Sequence, residues 1–225
     1  MPTRGQRWVT AMSSDERMVF SWEGGTVSGY WHRPARGRSW VVLGHGAGGS
    51  MDSPTLVRFA EALAEQGVGA VRFNFPYAER RRRVPDPQPR LEACFRAVAG
   101  HVAGRAERLF LGGRSMGGRI ASHIAAAGFP AAGLVFLGYP LHPPGQPERL
   151  RDAHLGRIEV PMLFLQGSRD SFARPDLLAQ TVARLGATLH VVPEGNHGLN
   201  VRGRPQMDVL AELAAVTLEW IGRVG

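Results

Sequence analysis

The sequence contains no lysine: all 27 basic residues are arginine, and against 19 acidic residues they give a formal net charge of +8 over 225 residues. That absence excludes chemistry that needs an ε-amino group, including a Schiff base to a carbonyl substrate or pyridoxal cofactor, a P-loop lysine on a phosphate and a kinase-type ATP lysine. Cysteine is nearly as scarce. Cys94 stands alone, so neither an intrachain disulfide nor a cysteine-rich metal site can form, and a reducing, cytoplasmic setting is expected. Apolar runs of membrane or signal-peptide length are lacking as well. The first twenty residues, through Met18-Val19-Phe20, carry Arg4, Arg7, Asp15, Glu16 and Arg17. The stretch Ile120 to Leu141 is long enough to span a bilayer but is broken by Ser122, His123 and Gly128-Phe129-Pro130. It reads as a buried helix followed by a buried strand, and no membrane span is expected.

The basic excess admits two readings. One is a nucleic-acid or acidic-membrane partner; the other is a general preference for arginine over lysine that inflates the count. The arginines are spread along the chain apart from one cluster, Arg80 to Arg83, and no nucleic-acid-binding motif accompanies them. A nucleic-acid partner is therefore not expected, and the four-arginine run is either a solvated charge run or a group near the site mouth that attracts anionic substrates.

The length fits one domain over residues 1–225, with a core of about 18–221. Strand-length runs rich in Val, Leu and Phe recur at Trp40–Leu43, Val68–Phe75, Leu109–Leu111, Leu134–Leu137, Pro161–Leu165 and Thr188–Val192. Between most of them lie segments with helical periodicity. Leu56, Phe59, Ala60 and Leu63 keep the 3.6-residue spacing behind Ser53, a candidate N-cap, and Pro54, a preorganised first helical position. Leu91–Val102, Met116–Ala127, Pro175–Leu185 and Pro205–Ile221 read the same way. This alternation predicts an α/β fold with a mostly parallel sheet and helices on both faces. Two alternating runs, Met18–Trp22 and Thr26–His32, joined at Glu23-Gly24-Gly25, predict an antiparallel hairpin ahead of it. Pro76 to Pro89, with prolines at 85, 87 and 89, reads as a surface loop.

Gly113-Arg114-Ser115-Met116-Gly117 fits the G-x-S-x-G pattern and falls between a predicted strand and a predicted helix, where it has a mechanical meaning. A serine in that turn is held in a strained conformation that projects its hydroxyl above the sheet, and the helix N-terminus with the N–H of Met116 faces any charge growing there. Asp170 and His197 follow in the chain order serine, acid, histidine, each just past the carboxyl end of a predicted parallel strand. Glu194 is the reserve acid. The loop Gly44-His45-Gly46-Ala47-Gly48-Gly49 also satisfies G-x-G-x-x-G, but Ser50 to Pro54 delay the next helix and the next strand ends in Asn74-Phe75-Pro76 without an acid to hold a ribose. A better reading is that this loop offers the backbone N–H of Ala47 as a second oxyanion donor opposite Met116. No cofactor or metal is called for. The histidines at 32, 101, 123, 142, 154 and 190 lack a partner pattern and read as structural or solvated. Cys94, on an apolar repeat with Leu91, Ala97 and Val98, reads as core, and Arg114 and Arg169 are given no role.

With HGAGGS and GGRSMGGR in place, the chain resembles the α/β-hydrolase superfamily over about residues 18–221. It looks most like a dienelactone-hydrolase-related branch that includes a testis-expressed protein and a subunit of a nonspecific-lethal chromatin acetyltransferase complex. The resemblance implies Ser115 as nucleophile, His197 as base, Asp170 as the triad acid, and the backbones of Ala47 and Met116 as the oxyanion hole. It also implies that any lid would follow Leu137, where only Gly138 to Glu159 is available, so a cap should be minimal. The expected activity is hydrolysis of a small or exposed ester, a small-molecule acyl substrate, through an acyl-enzyme. A thioesterase or peptidase using the same triad is the alternative among enzymes, and a hydrolase-like binding or scaffold protein is the alternative outside them.

Overall fold

The computed structural model describes residues 15–34 and 36–224; the first fourteen residues, which make up most of the N-terminal segment where no signal peptide is expected, lie outside them. The described residues begin with a hairpin, β1 (Asp15–Trp22) and β2 (Gly25–His32), and six further strands follow: β3 (Ser39–Gly44), β4 (Gly69–Phe73), β5 (Arg108–Arg114), β6 (Gly133–Leu137), β7 (Met162–Gly167) and β8 (Thr188–Val192). The eight form one sheet in the order β1-β2-β4-β3-β5-β6-β7-β8. β1 runs antiparallel to β2 and β2 to β4, whereas β4-β3-β5-β6-β7-β8 are parallel throughout. From β3 the chain moves to one side to form β4 and then returns to the other side to form β5. That reversal opens a crevice at the carboxyl ends of β3 and β5, where an open parallel sheet binds ligands.

Side-chain alternation assigns the helices to the two faces. Along β5, Leu109 and Leu111 face one core while Phe110 faces the other; along β6, Leu134 and Phe136 oppose Val135 and Leu137 in the same way. The first core is covered by α3 (Gln88–Ala103), α4 (Met116–Ala126) and α5 (Pro175–Arg184), the second by α1 (Pro54–Glu65) and α6 (Gln206–Arg223). With both faces covered, the central strands can be apolar at nearly every position. In α4, Ile120 and Ile124 recur at helical spacing and are fully buried, each worth roughly 1.5–3 kcal/mol of burial. The apolar stretch Ile120–Leu141 is thus divided between α4 and β6, and among the described residues no helix is long and apolar enough to cross a membrane. Cys94 sits in α3 with no exposure, and burial pushes its thiol up to about 12.

Two sequence-based expectations change, and the expectation of a minimal cap holds. Ser53 occupies the position before α1 but its side chain makes no capping bond, leaving Pro54 to set the first turn. Pro76 to Pro89 is not simply a surface loop. It begins with a one-turn helix, α2 (Pro76–Glu79), with Pro76 and Tyr77 buried, and ends inside the first turn of α3. The Glu79 carboxylate accepts hydrogen bonds from the Ser28 N–H (3.0 Å), the Ser28 hydroxyl (2.8 Å) and the Asn74 amide (3.1 Å), which ties this segment to β2. Burial alone would raise the Glu79 carboxyl; those donors, with Arg17, outweigh it and hold it below the usual range. Between β6 and β7 the described chain contains only one short 3₁₀ turn, Leu155–Arg157, so no lid is evident.

Candidate active site

Ser115 links β5 to α4 in a backbone conformation of φ 50°, ψ −116°, which non-glycine residues rarely adopt. The surroundings maintain it. Its N–H donates to the Leu137 carbonyl (3.0 Å), its carbonyl accepts from the Arg119 N–H (3.1 Å), and β3 presses on the turn from below. A Cβ at Gly113 would lie 2.2 Å from the Gly44 carbonyl oxygen and one at Gly117 2.0 Å from the same atom. The two glycines therefore let the turn rest directly on the end of β3.

The loops after β7 and β8 bring the other two residues to Ser115. His197 Nε2 stands 2.8 Å from Ser115 Oγ, and His197 Nδ1 stands 2.7 Å from Asp170 Oδ2. Asp170, whose side chain is wholly buried, also accepts from the Phe172 N–H (2.7 Å) and the Gln166 amide (2.5 Å). With the carboxylate accepting a hydrogen bond from Nδ1–H, Nε2 is left to accept the serine hydroxyl. The His197 loop is organised by Asn196, whose Oδ1 accepts from the N–H groups of Gly198 (2.9 Å) and Asn200 (3.1 Å). Phe172 lies against the imidazole, with ring centroids 4.2 Å apart. Glu194, the reserve acid, turns away into an ion pair with Arg169.

Ala47 and Met116 line the same 410 Å³ cavity as Ser115, His197 and Phe172. Its floor depends on His45. The fully buried imidazole accepts the Phe75 N–H at Nε2 (3.0 Å), so Nδ1 carries the proton and donates to the Gly46 carbonyl (2.9 Å), to which the Tyr77 hydroxyl also donates (3.2 Å). His45 thereby holds the backbone just before Ala47. Burial lowers its pKa to about 4, against a smaller opposing effect of the Gly46 carbonyl. Because the native value lies below the ordinary 6.5, the unfolded chain binds a proton between these values that the native protein does not. This contribution to stability is complete above pH 6.5 and declines as the pH falls toward about 4, by up to about 3 kcal/mol. Urea unfolding at pH 7.5 and 4.5 should show His45→Gln losing less stability than wild type over that interval; equal losses would show that the imidazole titrates normally.

Sequence reasoning named Ser115, Asp170, His197, Ala47 and Met116, and the structure brings all five to one place. It passed over Gln166, Phe172, Asn196 and the positioning role of His45, none of which belongs to a short motif with Ser115. It also gave no role to Arg114, which lines the cavity together with Arg119 and Arg151. Arg80 to Arg83, by contrast, are exposed and absent from the lining, and Arg80 pairs with Asp86 at 2.9 Å. No cluster of three or more potential metal-ligating side chains occurs among the described residues.

A parallel sheet entered by a hairpin, with a strained serine turn at its switch point, is the architecture of the α/β hydrolases. Residues 37–222 match the profile of the alpha/beta hydrolase domain, and the chain belongs to that family. Its fold is similar to a dienelactone hydrolase from Anabaena variabilis (18% identity, 94% of this chain and 98% of that one, TM-score 0.74). It is also similar to an alpha-beta serine hydrolase homologue from Coxiella burnetii (21%, 92% and 99%, 0.75). A serine hydrolase without a lid from Xanthomonas campestris shares it as well (24%, 92% and 94%, 0.72).

Proposed function

We propose that the protein is a serine hydrolase of the carboxylesterase type, acting on a small or exposed acyl substrate through an acyl-enzyme on Ser115. The observation that carries this reading is the unbroken hydrogen-bonded series Ser115 Oγ, His197 Nε2, His197 Nδ1, Asp170 Oδ2, with steps of 2.8 and 2.7 Å. In the first half-reaction His197 takes the Ser115 proton as Oγ bonds to the carbonyl carbon, and Asp170 stabilises the imidazolium that results. The oxyanion is held by the N–H groups of Ala47 and Met116, each such donor being worth roughly 3 kcal/mol of barrier. Collapse breaks the bond to the leaving alcohol, which takes the proton from His197. Water, deprotonated by the same imidazole, then attacks the acyl-enzyme and releases the acid and free Ser115.

No lid closes over the cavity among the described residues, which leaves room for extended substrates, and thioesters or amides would use the same groups. Fluorophosphonate labelling separates a hydrolase from a scaffold. Wild type should be modified at Ser115, and Ser115→Ala should remain unlabelled while keeping the wild-type melting temperature; an unlabelled wild type would refute the reading.

A further inference from the structure

The Ser115 cavity is lined by three arginines and by no carboxylate. Arg114 comes from the end of β5, Arg119 from α4 and Arg151 from the connection between β6 and β7. Arg119 and Arg151 also line an adjoining cleft of 350 Å³ with Arg157, His123 and His154, again without an acidic side chain. The two cavities therefore share a cationic wall that begins beside the serine and runs away from it.

These charges are not incidental surface decoration. Several arginines elsewhere are paired, among them Arg33 with Glu16, Arg174 with Asp176 and Arg204 with Glu212, and Arg81, Arg82 and Arg83, which have no such pair among the described residues, are exposed to water. Arg114, Arg119, Arg151 and Arg157 have no such ion pair among the described residues, and all but Arg157 are partly buried. Among the described residues, the Arg119 side chain donates to the Gln88 amide oxygen at 3.4 Å. The backbone of Arg151 is pinned on both sides, its N–H donating to the Leu141 carbonyl (2.8 Å) and its carbonyl accepting from the Tyr139 hydroxyl (3.1 Å). Arg114 is packed so tightly that a Cβ at Gly46 would lie 2.9 Å from its Nη1. Burial lowers the pKa of Arg151, and the like charges of Arg119 and Arg149 lower it further against a smaller opposing effect of Tyr139. The rings of His123 and His154 are stacked 3.7 Å apart; burial lowers the pKa of both, to about 3 for His154, with His123 then Arg119 and Arg157 adding to the effect at His154, and Arg119 and Arg157 opposed by Glu92 at His123. The positive charge of the groove is thus carried by guanidinium groups, which stay ionised and offer a planar fork to an oxyanion.

We infer that this groove is an anion site that seats a carboxylate or phosphate group of the substrate between Arg119 and Arg151 while the scissile carbonyl lies at Ser115. The inference rests on the hydrolase reading for its chemistry but not for its binding. The anionic group is a spectator. Water is added across the acyl–oxygen bond, and the charge leaves unchanged on one of the two products.

Two measurements test it on the full-length protein. The first is calorimetric titration of glutarate and inorganic phosphate into wild type and Arg119→Gln/Arg151→Gln, where the double variant should bind the better anion at least about tenfold more weakly. The second is the ratio of kcat/KM for a charged ester to that for its neutral counterpart. Mono-p-nitrophenyl glutarate against p-nitrophenyl valerate places the charge on the acyl side, and 4-acetoxybenzoate against phenyl acetate places it on the leaving group. In one of the two pairs the wild-type ratio should exceed that of the double variant by about tenfold or more, and that pair identifies the side that faces the arginines. Turnover of neutral esters with the same ratios in wild type and variant would overturn the inference and leave the hydrolase reading standing. Arginine-dependent anion binding without turnover of any ester and without fluorophosphonate labelling would establish the anion site and remove the hydrolase reading. Absence of both arginine-dependent binding and an arginine-dependent ratio would overturn the inference outright.

Discussion

His197→Ala is expected to lower kcat for p-nitrophenyl butyrate by roughly a millionfold, as much as removing Ser115 itself. The reason lies in the geometry. Ser115 Oγ has its 2.8 Å contact with His197 Nε2, and the other polar side chains that line the cavity are arginines, which cannot accept a proton. Without the imidazole the attacking hydroxyl has no base and the departing alcohol no acid. The double variant Ser115→Ala/His197→Ala should be no slower than either single one, because the two act as a unit. Asp170→Asn should cost less, about ten-thousandfold, since it leaves the imidazole in place but removes the carboxylate that holds the Nδ1 proton. Single-turnover release of p-nitrophenol measures all three. A loss of only about tenfold in His197→Ala would mean that another group activates Ser115.

Gly117→Ala is expected to destabilise the fold by about 4 kcal/mol or more, enough to leave little soluble protein. Its Cβ would lie 2.0 Å from the oxygen, 2.2 Å from the carbon and 2.8 Å from the Cα of Gly44, all backbone atoms of a central strand that cannot rotate away. Relief would require α4 to lift off β3 and would open the core on that side. Gly100→Ala provides the contrast. Gly100 is exposed in the interior of α3, and a Cβ there would meet nothing within 4 Å. Only the helical preference for alanine remains, and a gain of about 0.5–1 kcal/mol is expected. Urea denaturation of the two variants compares the effects directly; a Gly117→Ala protein as stable as wild type would show that the turn does not rest on β3 as described.

The strands and helices were readable because each is specified by its own residues. Val, Leu and Phe runs of strand length and the 3.6-residue spacing in α1 and α4 depend on neighbours within a dozen positions. Ser115, Asp170 and His197 were readable for the same reason: each follows the carboxyl end of a recognisable parallel strand, and such ends converge on one edge of the sheet. Where local signals were weak, the reading lost detail. Pro76 to Pro89 looked like a loop because four residues are too few to show helical periodicity, and its attachment through Glu79 depends on Ser28, 51 positions away.

The sequence by itself determined that no lysine chemistry and no intrachain disulfide operate here, that strands and helices alternate, and that a serine occupies a strand-to-helix turn. It also reduced the basic excess to a question about the one visible cluster, Arg80 to Arg83. Only the tertiary structure decided which charges matter to the site. Arg80 is engaged by Asp86 and its neighbours face outward, while Arg114, Arg119 and Arg151, scattered over 38 positions (114 to 151), converge beside Ser115. The same is true of Glu194, closer to His197 in sequence than Asp170 but directed to Arg169 instead. Sequence proximity gives the position of a backbone, whereas the direction of a side chain and the company it keeps are set by packing between segments far apart in the chain.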